Sequence, residues 1–115
     1  MSDRPILLKV LLKQRRWLEQ IAVTLQRYSV SCEIVSPRGE EDSPILEIAL
    51  PSSATDAALR ICRQLRRGQP AIYVGHGKLR ENRLVVHPLH LNDKYAAVLA
   101  DRLCEEIQRE DDKSG

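Results

Sequence analysis

The segment "AIYVGHGKLRENRLVVHP", which runs from Ala71 to Pro88, contains two short apolar runs around a loop with a Gly-His-Gly sequence. Runs of this length on both sides of such a loop predict a hairpin with strands over 71–75 and 83–87. A phosphate-binding loop is the alternative, because glycines let backbone amides approach a ligand and Lys78 adds charge. A Walker loop, however, needs GxxxxGK, then Ser or Thr and a helix, whereas here Leu79 and a strand follow. We therefore interpret the loop as a hairpin tip whose glycines adopt positive φ.

Outside this hairpin, the spacing of apolar residues predicts three helices and a second hairpin. Apolar residues recur at steps of three and four over 6–28, 53–67 and 92–109, which is typical of helices packed on one side. Apolar and polar residues alternate over 30–36 and 45–50, which predicts two paired strands. The predicted order is helix, strand, strand, helix, strand, strand, helix.

This order predicts an α+β fold, a two-layer sandwich in which a mostly antiparallel four-stranded sheet carries the helices on one face. Residues 1–115 are expected to form a single domain, because a chain of 115 residues has the length of one. Ser53 with Asp56 resembles a capping box at the start of the second helix. The acidic tail over 110–115 is expected to fray.

The sheet face opposite the predicted helices is expected to be semi-apolar. Val35, Ala49, Tyr73 and Val85 alternate with the core positions and are less polar than the residues of a solvated sheet face. We therefore expect this face, or the apolar first half of the first helix, to dock against another domain or subunit. Assembly into a homo-oligomer is a related expectation.

Composition excludes several classes of protein. With 43% hydrophobic and 30% charged residues, the chain lies far from the composition of disordered proteins. The net charge of +2 does not by itself indicate a partner. Near the N-terminus the apolar run Ile6 to Leu8 is followed by Lys9, so neither a secretory segment nor a membrane span is predicted. A cytoplasmic protein is the default expectation.

Metal and nucleophile motifs are not recognised in the sequence. Cys32, Cys62 and Cys104 are widely spaced without a CxxC pair, which argues against a disulfide framework and a zinc site. We interpret them as small core side chains. His87 and His90, at a predicted strand end, lack further ligands at suitable spacing, and there is no Gly-x-Ser-x-Gly elbow. No metal site and no catalytic residue are therefore predicted.

Nucleic-acid binding is the alternative class of function. A small sheet backed by helices is a common RNA-binding shape, and the segment "KQRRW" places Arg15 and Arg16 beside Trp17. Against it, the chain has no phenylalanine, and Tyr73 is the one aromatic residue predicted on the sheet face. Basic residues on a helix usually form a solvated face. A stand-alone α+β module that binds RNA or a protein stays open as the alternative.

The segment "LRRGQPAIYVGHGKLRENRLVVHPLHL", from Leu65 to Leu91, resembles the C-terminal small domain of fold-type I pyridoxal-phosphate enzymes. The resemblance is to the branch of selenocysteine synthase (L-seryl-tRNA(Sec) selenium transferase) and its ammonia-lyase-like relatives. That family has a helix ending in LR-x-G-x-P-x-I, then a strand, a short loop, an x-L-x-(apolar)-x-P strand and a terminal helix. All these elements are found between Leu65 and Ile107.

This resemblance implies that a large domain, with the Schiff-base lysine and an aspartate facing the pyridine nitrogen, precedes the segment. The sequence lacks that domain, so we expect this chain to bind no cofactor and to be inactive alone. The presumed full-length enzyme would be a pyridoxal-phosphate-dependent transferase or lyase. In such enzymes the small domain closes over the active site and helps hold the acidic group of the substrate. His76, Lys78 and Arg83 are the candidate substrate contacts, and the large domain is the expected partner of the semi-apolar sheet face.

Overall fold

The computed structural model describes residues 4–37, 39, 42–51, 55–75 and 77–114. Three helices and three strands follow one another as α1 (Arg4–Leu25), β1 (Ser31–Val35), β2 (Ile45–Ala49), α2 (Ala57–Arg67), β3 (Arg83–Val86) and α3 (Asp93–Ser114). Short 3-10 turns lie at Leu79–Glu81 and Pro88–His90. The α+β class expected from the sequence is therefore confirmed. Within the described residues, no helix is both long and apolar enough to span a membrane.

The sheet has three antiparallel strands in the order β1-β2-β3, so the prediction of four strands is wrong. Residues 71–74 lie outside the sheet, and within 71–75 only Gly75 forms a bridge, donating its N–H to the Val85 carbonyl at 2.7 Å. This segment is hydrogen-bonded to α2 instead of to a strand, because the Ile72 N–H donates to the Leu65 carbonyl at 2.8 Å. The segment is thus tied to the end of α2 before it reaches the sheet.

The glycines of this region do not serve a positive-φ turn, contrary to the interpretation from the sequence. Gly75 and Gly77 lack left-handed backbone angles, whereas Asn82 has φ 58°. A Cβ added to Gly75 would lie 3.0 Å from Nε2 of His87 and 3.2 Å from Cβ of Val85. Gly75 therefore packs closely against β3, where a Cβ would require small shifts of His87 and Val85, and the left-handed position of the loop is Asn82.

The helices α1 and α2 pack against the sheet, and α3 packs on these two helices. Side chains of β2 and β3 alternate, so Leu46, Ile48, Leu84 and Val86 point into the core. The helical side of the core is formed mainly by Leu18, Ile21, Leu25, Ile61, Leu65, Leu99, Leu103 and Ile107. The cysteines are free thiols, with Cys62 buried and Cys32 and Cys104 half-buried among these side chains.

Exposed apolar surface is concentrated on the first half of α1 and not on the open sheet face. Leu8, Val10 and Leu12 are 58%, 46% and 57% exposed. On the sheet face, by contrast, Val85 is buried, and Tyr73 lies outside the sheet. Of the two docking surfaces expected from the sequence, the helix is the more apolar.

The start of α2 differs from the expected capping box. The helix begins at Ala57, and Asp56, at φ 59°, makes no side-chain cap. Ser53 lies outside the described residues. The cap comes instead from Asn82, whose Oδ1 accepts the Ala58 N–H at 2.9 Å. A side chain that is 24 residues distant in sequence therefore satisfies one of the free N–H groups of the helix.

The last helix, α3, is longer than the helix over 92–109 expected from the sequence. The helix continues to Ser114, because Glu110 is buried against α2 and accepts from Arg60. Both guanidinium nitrogens involved, Nε and Nη2, lie 2.7 to 3.1 Å from the carboxylate oxygens. This ion pair joins the two helices one turn beyond the last apolar core residue, Ile107.

Candidate functional site

Two of the three residues predicted as substrate contacts meet at one carboxylate on the open face of the sheet. Glu47 lies in the middle of β2, the central strand, and its side chain alternates with the core residues Leu46 and Ile48. Lys78 Nζ lies 2.7 Å from Glu47 Oε2, and Arg83 Nη1 lies 3.0 Å from Glu47 Oε1. Each of the two carboxylate oxygens is thus bound by a different cation.

The three groups differ in their exposure to solvent. The side chain of Glu47 is 8% exposed, whereas those of Lys78 and Arg83 are 40% and 39% exposed. A carboxylate loses hydration when it is buried in this way, and it needs charged donors to compensate. The cations cover Glu47 while each retains an exposed part, so the cluster presents positive charge to solvent.

The neighbouring strand makes this compensation more important. Glu33 of β1 lies directly opposite Glu47 in the antiparallel register, and like charges in such pairs repel. Hydrogen bonding from Lys78 lowers the pKa of Glu47, and Arg83 acts in the same direction, although burial opposes them. Glu47 is therefore ionised at neutral pH.

The loop before β3 holds the two cations at the carboxylate. The Lys78 carbonyl accepts the N–H groups of Glu81 and Arg83 at 3.0 and 3.1 Å, which folds residues 78–83 into a compact turn. Asn82 fixes this turn to the rest of the molecule, because its side chain binds Ala58 and donates to the Pro51 carbonyl at 3.2 Å. The positions of Lys78 and Arg83 thus depend on contacts with α2 and the end of β2.

Lys78 and Arg83 are among the residues predicted from the sequence as substrate contacts, whereas Glu47 is not. Glu47 interrupts the apolar strand "ILEIA" at an outward position, which was the signal available in the sequence. His76, the third candidate, lies outside the described residues. The site is therefore defined here by Glu47, Lys78 and Arg83, which we call the Glu47 cluster.

The basic residues on α1 that suggested RNA binding are arranged differently from that expectation. Trp17 donates from Nε1 to Oδ1 of Asp93 at 2.7 Å, and Nζ of Lys13 lies 5.8 Å from the centre of its ring. Trp17 is half-buried at the junction of α1 and α3. The Trp17 ring thus already contacts Asp93 and Lys13, although Arg15 and Arg16 are exposed beside it.

A second polar cluster connects the end of α2 with the middle of α3. Arg102 is buried and donates to the Gln64 carbonyl at 3.1 Å and to Glu106 at 3.1 Å. A Cβ on Gly68 would collide with the guanidinium of Arg102. The glycine of the "LRRGQPAI" element therefore provides space for an arginine that joins two helices.

The described residues do not fit pyridoxal phosphate, the cofactor that the sequence resemblance implies for a parent enzyme. A Schiff base needs a free amine in an enclosed site, but the Lys78 ammonium is bound to Glu47. Lys9, Lys13 and Lys94 are exposed on helices. The part of the chain described also contains no group of three or more metal-ligating side chains.

The fold is that of an α+β unit found within a larger enzyme. Comparison with solved structures gives a match to a chain of D-glucosaminate-6-phosphate ammonia-lyase, with a TM-score of 0.70 over 81% of the present chain and 19% sequence identity. The present chain spans 26% of that chain. At this identity the match shows a shared fold. No model of a protein family matches the sequence, and no curated protein matches it.

Proposed function

We propose that the chain is the C-terminal small domain of a larger, pyridoxal-phosphate-dependent enzyme of fold type I. The fold likeness to about a quarter of an ammonia-lyase chain carries this proposal, since it makes the chain similar to one part of an enzyme. The sequence resemblance over Leu65 to Leu91 supports the same assignment. The cofactor and its lysine would belong to another domain, and this chain would contribute closure of the active site and substrate contacts.

Within this class, the parent would be a transferase or a lyase acting on an amino-bearing substrate. The sequence resembles the selenocysteine-synthase-like family, whereas the fold is similar to an ammonia-lyase, and this likeness favours elimination. The substrate named for that lyase carries a carboxylate and a phosphate. Groups of this kind are bound well by lysine and arginine. The cytoplasmic location expected from the sequence stays a prediction.

The Glu47 cluster supplies the substrate contacts in this proposal. Lys78 and Arg83 bring two positive charges to one carboxylate, so the cluster keeps one net positive charge. An ammonium has three donors and a guanidinium five, of which Glu47 accepts one from each residue. The remaining donors are available to a substrate anion, and Glu47 acts as a positioning residue that holds both cations in place.

The first half of α1 supplies the contact with the rest of the enzyme. Leu8, Val10 and Leu12 are about half exposed, and an apolar surface of this kind is typical of an interface. The open sheet face, which carries the Glu47 cluster, would then face the substrate.

The native protein provides the first test. An antibody raised against this chain should isolate, from its source, either a chain several times longer or a tightly bound larger subunit. Pyridoxal phosphate should be released from that preparation after denaturation. A native species with the mass of this chain alone, without a larger subunit, would overturn the proposal.

The Glu47 cluster is tested in that complete enzyme. Lys78→Ala and Arg83→Ala should each raise KM about tenfold, because each removes a charge-assisted hydrogen bond to the substrate. Arg80→Ala is the matched control, since Arg80 is exposed in the same loop and its side chain makes no hydrogen bond to any described residue. An unchanged KM in both cluster variants would refute the substrate-binding role while leaving the domain assignment intact.

A further inference from the structure

The outer surface of α2 carries an excess of positive charge that the Glu47 cluster does not use. The helix "AALRICRQLRR" contains four arginines and no acidic residue. Arg60 is paired with Glu110. None of the ion pairs within the described part of the chain includes Arg63, Arg66 or Arg67. All three are exposed.

Two carboxylates that line a groove with these arginines are bound by other cations. Glu106 and Glu110 line a groove of about 150 Å³ that also includes Arg63 and Arg67. Glu110 is bound by Arg60, and Glu106 is bound by Arg102 at 3.1 Å. The positive charge of the α2 surface is therefore not cancelled by these acids.

An exposed aromatic ring completes this surface. Arg63, Arg66, Arg67 and Tyr73 together line a shallow cavity of about 360 Å³. Tyr73 is 75% exposed, although the adjacent Ile72 is fully buried and its N–H is bound to the end of α2. The backbone thus holds the ring beside the arginines.

Ordinary helix stabilisation explains only part of this arrangement. Arg66 and Arg67 lie in the last turn of α2, where cations interact favourably with the helix dipole. Arg63 lies one turn earlier, and the dipole does not account for an exposed tyrosine. Cations that bind phosphate next to a ring that stacks on a base are the combination found in single-strand binding surfaces.

We propose that Arg63, Arg66, Arg67 and Tyr73 form a nucleotide-binding site, in which the arginines bind phosphate groups and the Tyr73 ring stacks on a base. This site is independent of the proposed enzyme function and shares no residue with the Glu47 cluster. A free nucleoside triphosphate and a single-stranded nucleic acid share this chemistry, and the two sources are distinguished by experiment.

The 115-residue chain is titrated at low salt with fluorescent ATP, with a short single-stranded RNA, and with inorganic polyphosphate as a probe without bases. Anisotropy should show saturable binding of at least one base-bearing probe. If RNA is preferred, with a slope of log K against log salt of about −2 for three phosphate contacts, the ligand of the site is a single-stranded nucleic acid. If ATP is preferred, the ligand of the site is a free nucleotide.

Variants separate the site from charge in general. Arg63→Ala with Arg66→Ala and Arg67→Ala should abolish saturable binding, and Tyr73→Ala should weaken it about tenfold for base-bearing probes but not for polyphosphate. Arg15→Ala with Arg16→Ala is the control on α1 and should change affinity less than twofold. All are checked by circular dichroism.

Several results would overturn the proposal. These are an absence of binding by both base-bearing probes, an equal loss in the α1 control, or affinity for RNA and ATP that is unaffected by Tyr73→Ala. The first removes the site altogether. The second reduces it to non-specific charge, and the third removes the role of the ring.

Discussion

Replacing Asn82 should destabilise the fold, and the loss of stability should depend on which of its contacts the new residue retains. The side chain accepts the Ala58 N–H and donates to the Pro51 carbonyl, while the backbone has a left-handed φ of 58°. Asp retains the acceptor, Gly retains the backbone freedom, and Ala retains neither. The predicted order of stability is therefore wild type, Asn82→Asp, Asn82→Gly and Asn82→Ala.

The magnitudes follow from these contacts. Loss of the helix cap costs about 1 kcal/mol, loss of the bond to Pro51 about 1 kcal/mol, and a left-handed alanine about 1 kcal/mol. Asn82→Asp should thus lose about 1 kcal/mol, Asn82→Gly about 2 and Asn82→Ala about 3. At about 4 °C for each kcal/mol, the Tm of Asn82→Ala falls by about 12 °C.

Equilibrium unfolding in urea measures these differences, with an unchanged m-value as the condition for comparing midpoints. Glu81→Ala is the control, because Glu81 is exposed next to Asn82, and it should change stability by less than about 0.5 kcal/mol. Equal losses in Asn82→Gly and Asn82→Ala would refute the cost of the left-handed angle. Equal losses in Asn82→Asp and Asn82→Gly would refute the capping role.

Other predictions concern the two ion-pair clusters. Gly68→Ala should lower the free energy of unfolding in urea by about 2 kcal/mol, because Arg102 must leave the Gln64 carbonyl. Gly77→Ala is the control, since no described atom lies near its added Cβ. Equal losses of stability in the two variants would contradict the steric explanation. The folded pKa of Glu47 is lowered, so its stabilisation is complete above its ordinary value of 4.5 and is lost as the pH falls through the lower folded value. Thermal melts of Glu47→Gln should therefore depend less on pH in the acid range than those of wild type, and parallel curves would contradict this. Glu110→Ala should speed amide hydrogen exchange over 110–114, whereas unchanged protection there would show that the pair with Arg60 does not hold the helix end.

Periodicity in the sequence predicted the elements that depend on hydrophobic burial. The stripe containing Ile61 and Leu65 was identified as a helix, and both residues are buried in α2. The alternation around Ile48 was identified as a strand, and Ile48 faces the core of β2. These patterns are local, because a helix or strand must turn its apolar face to one side wherever it packs.

The contacts of the Glu47 cluster could not be predicted from such local patterns. Lys78 and Arg83 were nominated as substrate contacts through a resemblance to known enzymes, and both lie near each other in sequence. Glu47 is 31 and 36 residues away from them, and only the pairing of β2 with β3 places it between them. No local pattern specifies which carboxylate two cations will meet.

The sequence by itself determined the α+β class, the three helices, the strands β1, β2 and β3 and most of the apolar positions that form the core. The tertiary structure decided that residues 71–74 lie outside the sheet, that Asn82 caps α2 and that Glu110 extends α3. The physical reason is that hydrophobic burial is encoded by local spacing, whereas a hydrogen bond or ion pair forms with whichever partner the fold brings within about 3 Å. Those partners are set by the packing of distant segments.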